Sequence, residues 1–480
     1  MEGKNSEKIS FEAALDKAGF GLYSYLNTLL AGFAIIAMSC LVYGATFIVP
    51  ASACELQTTG AQQGLLVAAP VVGLILGGPL WGYLGDTRGR RRMLLISLFS
   101  SALINAISAL SVNWIMLMIL QFISSLVASA AYSLSVTLLS ESVPMAKRNL
   151  AVLMVSSLFM LAQGVMAVLA IPINPLTFSY HVPGLDIYWN SWRLLVMSYS
   201  LPSLVCAVCY FFTQDSPKFA LVKGDEKKAL KILKTIHRIN YGKGAVLDVQ
   251  FLIPEISQRA LGLSKKDQIV PLFKAPLLKI TIIMSILFMF QLSGSFLAWL
   301  PTIANRVMRM YETGEVDELT LCGIINADVD MNIDPNATPC ALDPISLLFV
   351  LGVGVAQSVF NGFLTLVVVN RAGRRNTMMV VVPVLGLCGI LVNLVTNTIG
   401  TLILFGGFLL GYIVMGWYTA MAVALFPTQV RAMAVALTTT AGNITSFAGI
   451  QIVNFMLTRN CELAFYLFGA IFALDFYKSH

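Results

Sequence analysis

Charge is scarce in this chain. Only 11% of its 480 residues are Asp, Glu, Lys or Arg, against about a quarter in a soluble domain. With 57% hydrophobic residues and a mean hydropathy of +0.80, there is more apolar side chain than a water-soluble core can hide. An ordinary soluble globule is excluded, and lipid becomes the solvent for most of the chain. Short alternating apolar segments are missing too. The apolar runs are about 20 residues long, which excludes a transmembrane β-barrel and leaves helices. Cysteine is sparse: eight residues, about half of them inside apolar runs, do not make a disulfide scaffold. Cys206-Ala-Val-Cys209 lacks a second ligand pair and does not read as a metal site. Gly352-Val-Gly354 lacks the third glycine of a nucleotide loop. No nucleophile–base pair or Walker sequence is present, which speaks against an enzyme, an ATP-driven pump and a bound cofactor.

What is present is a series of apolar runs. Spans are predicted near 22–49, 61–84, 93–111, 114–139, 150–172 and 193–212, then near 277–301, 344–369, 377–398, 400–424, 432–457 and 463–477. The polar opening MEGKNSEKIS and the length of the first run predict that this run is a retained span rather than a cleaved signal. Between the two sets lies a charged segment, 213–276, holding Lys223-Gly-Asp-Glu-Lys-Lys228 and a Leu/Ile pattern typical of a short amphipathic helix. The expected organisation is a cytoplasmic N-terminus (1–21), a six-helix half (22–212), a cytoplasmic linker (213–276) and a second six-helix half (277–480).

Basic residues set the orientation. With the N-terminus in the cytoplasm, 27 of the 31 Lys and Arg fall on the cytoplasmic side, and only Arg193, Arg306, Arg309 and Arg459 fall outside. The net charge of +7 is thus explained by topology and does not signal nucleic acid. The opposite loop, 305–343, is acidic and holds Cys322, Cys340 and the sequon Asn336-Ala-Thr338. On the non-cytoplasmic side that asparagine can carry a glycan and those cysteines can pair. The plasma membrane and an intracellular vesicle membrane both suit such a chain.

Two motifs repeat between the halves. Gly82-Tyr-Leu-Gly-Asp86-Thr-Arg88-Gly89-Arg90-Arg91-Arg92 ends span 2, and Asn370-Arg371-Ala-Gly373-Arg374-Arg375 ends span 8, at an offset of 284 residues. Glu141-Ser-Val-Pro144-Met-Ala-Lys-Arg148 follows span 4, and Ala424-Leu-Phe-Pro427-Thr-Gln-Val-Arg431 follows span 10, at an offset of 283. Positive-inside topology makes any such loop basic, but it does not place Gly, Asp and Pro at matched offsets. Parallel internal repeats do, as in transporters whose halves rock about a central site. The expected role of these loops is a cytoplasmic latch. Gly permits the tight turn, Asp or Asn caps a helix N-terminus, and the arginines pair with Glu141. Such pairs form and break as a cavity opens and closes.

These motifs resemble the major facilitator superfamily, and within it the sugar-porter and organic-ion branch. Asp215-Ser-Pro-Lys-Phe219 is similar to the branch's E-S-P-R-W/F motif. Gln291-Leu-Ser-Gly294 is similar to the sugar porters' Q-Q-L-S-G, with Phe290 in place of the first Gln. Phe11-Glu-Ala-Ala-Leu-Asp-Lys-Ala-Gly-Phe-Gly21 and the span 10 exit, Trp417 to Thr428, resemble synaptic vesicle glycoprotein 2-like proteins. The resemblance implies an all-α membrane fold of about twelve transmembrane helices, in two six-helix halves related by pseudo-two-fold symmetry. It implies a secondary transporter of a small organic solute working by alternating access. The alternative is a transport-inactive vesicle membrane protein or receptor. The second latch departs from the pattern: Ala424 and Asn370 stand where an acid is usual.

Ionisable residues inside a span are costly and usually functional, and none lies mid-span here. This speaks against a buried carboxylate relay for protons or sodium. Neutral polar residues remain. Asn105, Gln121, Tyr132, Gln163, Gln291, Gln357, Asn361, Trp417, Tyr418 and Asn443 are candidates to line a cavity, although Gln and Asn also bond helix to helix. The resemblance to sugar porters favours Gln163 and Gln291, since it places glutamines of spans 5 and 7 in the sugar pocket.

Overall fold

The computed structural model describes residues 8–184, 186–242, 244–245, 247–249, 251–253, 270–290, 293–313, 320–326, 342–364, 373–426 and 431–474. The first half begins with α1 (Phe11–Ala18) and runs through α2 (Leu22–Val42), α3 (Ala45–Leu56), α4 (Gly60–Arg88), α5 (Arg90–Ser108), α6 (Trp114–Ala128), α7 (Ala130–Ser140), α8 (Met145–Met160), α9 (Ala162–Ala170) and α10 (Ser191–Phe211). The linker contributes α11 (Pro217–Val222) and α12 (Glu226–Tyr241). The second half is α13 (Leu277–Phe290), α14 (Ser293–Thr313), α15 (Leu321–Asn326), α16 (Pro344–Phe363), α17 (Arg374–Leu391), α18 (Thr398–Leu410), α19 (Val414–Leu425), α20 (Arg431–Arg459) and α21 (Cys461–Leu474). Among the described residues, eight helical stretches are long and apolar enough to cross a membrane, and the shorter apolar helices Asn376–Leu391 and Cys461–Ala473 make ten. α5 and α20 complete a set of twelve.

Local chemistry starts these helices where the sequence changes character. Thr59 and Gln62 form a reciprocal capping box at the head of α4. Asp343 accepts the amides of Ile345 and Ser346 ahead of α16, and Asn397 does the same for Ile399 and Gly400 ahead of α18. The repeat seen in the sequence is also a repeat of backbone. Gly89 joins α4 to α5 at φ 104°, and Gly373 precedes α17 at φ 79°. Both angles lie in the region that only glycine adopts freely, so both loops keep the residue that permits the turn.

Several spans are interrupted. Tyr43 and Gly44 separate α2 from α3, Ser129 separates α6 from α7, and Leu161 separates α8 from α9. A 3-10 turn at Gly411–Ile413 separates α18 from α19. Irregular backbone at membrane depth is tolerated where protein or a cavity surrounds it.

Two small sheets flank the bundle. β1 (Lys8–Ser10) pairs in parallel with β4 (Phe251–Ile253), joining the chain's start to the linker. With α1, α11 and α12 these strands enclose a separate apolar core that includes Phe11, Leu15, Ile232, Leu233, Ile236 and Leu252. At the far end of the bundle, β2 (Tyr180–Val182) and β3 (Ile187–Trp189) form a hairpin.

The expected Cys322–Cys340 pair is corrected. Cys322 is bonded to Cys461, with Cα atoms 5.6 Å apart. α15 packs against α20 and α21, which brings Cys322 to the first residue of α21 at a distance a disulfide can span. Cys340 and the sequon Asn336 lie outside the described residues. Cys54 is also disulfide-bonded.

Candidate functional site

A cavity lies between the halves, at the level of the helix interruptions. From the first half it is lined by Ser39, Tyr43, Thr46, Val67, Val71, Phe159, Met160, Ala162, Gln163 and Met166. Gly294, Leu297, Ala298, Gln357, Tyr412, Ser446 and Ile450 line it from the second. Tyr43, Gln163 and Tyr412 sit at or beside three of the interruptions. Every lining residue is uncharged. The walls are apolar with a few convergent hydroxyls and amides, the usual make-up of a small-molecule site. Tyr43 from the first half and Tyr412 from the second both present their rings to the cavity. The space left to water-sized molecules is about 60 Å³, room for only a few waters. A sugar-sized solute enters only when the walls part.

The expected cavity residues divide. Gln163 is on the wall. Gln357 is there too, and its amide also donates to Leu409 O at 2.8 Å. Asn361 is buried and donates to Ser157 Oγ at 3.1 Å, beside a bond from Ser358 to Ser157 O at 2.9 Å. It therefore joins α16 to α8 and holds the halves together below the cavity. Trp417 and Tyr418 are not wall residues. They are buried with Met284, Leu287, Phe288 and Val382, and Tyr418 meets Phe288 edge to face at 5.9 Å. The reason is rotation: Tyr412 takes the wall on this span, and five residues turn a helix by about 140° away from it. Asn443 lies about one turn from the wall residue Ser446. Gln291 lies outside the described residues. Asn105 and Gln121 bond to each other at 2.9 Å and to Val196 O and Ser108, so they join helices of one half. Tyr43, Tyr412, Ser39 and Ser446 had no sequence signal beyond being polar in an apolar run.

The halves touch above and beside the cavity. Gln451 donates to Gly64 O at 2.7 Å and Asn454 to Gly60 O at 2.8 Å, bridging α20 to the head of α4. A Cβ on Gly354 would lie 2.5 Å from the backbone nitrogen of Gly164, so α16 and α9 meet backbone to backbone.

At the linker end, the first-half motifs are assembled around Glu141. Arg90 pairs with it at 3.0 Å, both side chains being largely buried (15% and 12% exposed). Ser216 donates its hydroxyl to the same carboxylate, and also caps α11 by accepting the Phe219 amide at 3.0 Å. Arg90 lies over the Phe219 ring at 4.9 Å. The Asp215–Phe219 motif and the Gly89 loop are thus one structural unit. Arg91 does not join Glu141; its guanidinium donates to Tyr210 O at 3.0 Å and to Phe211 O, closing the end of α10. Arg148 instead pairs with Glu12 of α1 at 3.2 Å, and Lys218 approaches the same residue at 3.8 Å. Of Asp86, Arg374 and Arg431 only the backbone is described, and Asn370 lies outside the described residues.

The far end holds a charged node that the sequence did not announce. Arg193 is fully buried in the first turn of α10. It pairs with Glu55 at 2.6 Å and donates to the carbonyls of Ala109, Ser111 and Tyr188. Glu55 also accepts from Trp192 Nε1 at 2.7 Å and from Asn190. A buried charge survives only when paired and fully hydrogen-bonded, and this one ties α3, α5, α10 and the β-hairpin together.

A family model described as Major Facilitator Superfamily matches residues 29–450. The rat "Synaptic vesicle 2-related protein" is 25% identical over 439 residues, covering 88% of this chain and 71% of that protein. The human "Synaptic vesicle glycoprotein 2B" is 26% identical over 243 residues, covering 50% of this chain and 35% of that one. Among solved structures, a partially occluded, inward-open form of the xylose transporter XylE from E. coli superposes with a TM-score of 0.66 at 17% identity, over 95% of this chain and 96% of that one.

Proposed function

The chain belongs to the major facilitator superfamily, and from that premise we propose that it carries a small, uncharged or zwitterionic, hydroxylated organic solute across its membrane by alternating access. The observation that carries this reading is the central cavity. It lies between the halves, and Ser39, Tyr43, Gln163, Gln357, Tyr412 and Ser446 give it donors and acceptors without a charge. A charged solute would leave its counter-charge behind in such a site. A neutral solute can exchange water for hydroxyl and amide partners. The solved xylose transporter supports the same solute class by fold alone.

Alternating access is supported by unequal ends. Gln451 and Asn454 bridge the halves on one side of the cavity; on the other, Asn361 and Ser358 join α16 to Ser157 of α8, and at the linker end Arg90, Glu141 and Ser216 cluster within the first half and its linker. With the N-terminus and linker in the cytoplasm, the bridge made by Gln451 and Asn454 is non-cytoplasmic, and the Cys322–Cys461 disulfide on the same side fits the oxidising compartment in which disulfides persist. The names of the relatives favour a vesicle membrane. In this reading Asp86, Gly89, Arg90, Arg91, Glu141 and Arg148 form the first-half latch and Asn370, Gly373, Arg374 and Arg431 its weaker counterpart.

The test is a thermal-shift screen of the purified protein against sugars, polyols, amines, carboxylates and nucleosides, followed by liposome uptake of any hit. A ligand that binds the folded state alone stabilises it by about 2.7 kcal/mol at a hundredfold excess over Kd. A dose-dependent shift for one neutral class, lost in Gln163→Leu, is the expected result. A folded protein that responds to nothing, and passes no solute, favours the transport-inactive alternative, to which the missing acids at Asn370 and Ala424 already point.

A further inference from the structure

Four of the five Lys and Arg of α12 lie in one stripe; the fifth, Lys228, is off it and pairs with Asp215 at 3.5 Å. At 3.6 residues per turn, Lys227, Lys231, Lys234 and Arg238 fall within an arc of about 60° and span about 16 Å of the helix axis. All four are exposed. The opposite face, Ala229, Ile232, Leu233 and Ile236, is buried in the small core with α1. Like charges three and four residues apart repel along a helix, so the stripe works against the helix that bears it unless an outside anion neutralises it. α12 does not do so itself. Its one acidic residue, Glu226, accepts the Leu252 amide at 2.7 Å, and Asp225 is engaged in capping Lys228 N at 3.0 Å.

The position of the stripe identifies its counterpart. Asn240, in the last turn of α12, accepts the amide of Tyr23 at 3.0 Å and donates to Gly19 O at 2.8 Å. Tyr23 lies in the first turn of the first span, whose Leu22, Tyr25, Leu26 and Leu29 are exposed apolar side chains facing lipid. The end of α12 is therefore pinned at the level where the span enters the bilayer. Arg238, Ile239 and Tyr241 are exposed at that end, a cation beside apolar and aromatic groups, as in helices that lie in a membrane interface. We propose that this face of α12 docks on acidic phospholipid headgroups of the adjacent leaflet. Because α11 and α12 follow one another directly, the docked helix also steadies the Ser216–Glu141–Arg90 cluster. The inference rests on the membrane topology and not on transport.

The test is hydrogen–deuterium exchange of the full chain in nanodiscs of phosphatidylcholine, with and without phosphatidylserine. Both leaflets of a nanodisc are alike, so the result does not depend on how the chain is oriented in the cell. One basic residue near an acidic leaflet changes binding about fivefold. The α12 amides should exchange at least about fivefold more slowly in the acidic discs. The difference should vanish near 1 M salt, where the screening length falls to about 3 Å. It should also vanish in the Lys227→Gln, Lys231→Gln, Lys234→Gln, Arg238→Gln variant while α10 keeps its protection. Equal exchange of wild-type α12 in both discs at low salt overturns the proposal. So does slowing that survives in the variant. Protection by soluble inositol hexakisphosphate without protection by phosphatidylserine also overturns it, and would mark a site for a soluble anion.

Discussion

The hydrogen bonds from Gln451 and Asn454 make the sharpest prediction about mechanism, because they bridge the two halves at one end of the cavity. Opening that end separates α20 from the head of α4 and breaks both. Interhelical side-chain bonds in membranes contribute on average about 0.6 kcal/mol each, at most about 1.7. The Gln451 bond, at 2.7 Å and partly buried, should be worth more than the exposed Asn454 bond. Removing both with Gln451→Ala and Asn454→Ala should shift the open–closed equilibrium of that end by about 1.2 kcal/mol, a factor of about eight at 298 K. The assay is the labelling rate of Ser446→Cys, a wall residue below the bridge, by a membrane-impermeant maleimide. It is run in a background lacking the free cysteines Cys40, Cys206, Cys209 and Cys388. Labelling from the bridged side should quicken severalfold in the double variant, and labelling from the linker side should slow. Rates unchanged within about twofold from both sides would refute the reasoning, since the bonds would then not distinguish the two states.

Glu141→Gln removes the charge partner of Arg90 while keeping an acceptor for Ser216. The inward–outward balance, read by the same labelling, should move by about 1–3 kcal/mol, or 5- to 150-fold; no change would remove the latch role. Glu55→Ala leaves Arg193 buried without a counter-charge and should lower unfolding stability by about 3–5 kcal/mol, seen as an earlier melt, with Glu55→Gln milder. Cys461→Ser should abolish the Cys322 crosslink, detected by peptide mapping under non-reducing conditions. It should destabilise the protein by about 2–5 kcal/mol, and a free, alkylatable Cys322 in the wild-type protein would contradict the pairing.

The turn loops were legible in the sequence because they depend on local chemistry. Gly89 and Gly373 are required by a positive φ at the same place in each repeat, and Asp215-Ser-Pro works as a cap with Pro at the first helical turn. Arg90–Glu141 followed from opposite charges at adjoining span ends. The cavity was less legible. An apolar run with Gln, Asn and Tyr in it does not say which face looks inward, since that depends on how each helix is rotated against its neighbours. Thus Gln163 faces the cavity, while Trp417 and Tyr418 turn into the packed core and Tyr412 takes their expected place. Arg148 looked like a partner for Glu141, but α1 folds back under the bundle and offers Glu12 first.

By itself the sequence determined the solvent of the chain, its span count, its internal repeat and the residues of its turns. All of these are set by hydropathy, charge and backbone preference within a few residues. The tertiary structure alone decided the partner of Cys322, the burial of Arg193 against Glu55, the parallel pairing of Lys8–Ser10 with Phe251–Ile253 and the membership of the cavity wall. Each of those joins residues far apart in the chain, and their meeting is fixed by packing, which no local pattern encodes.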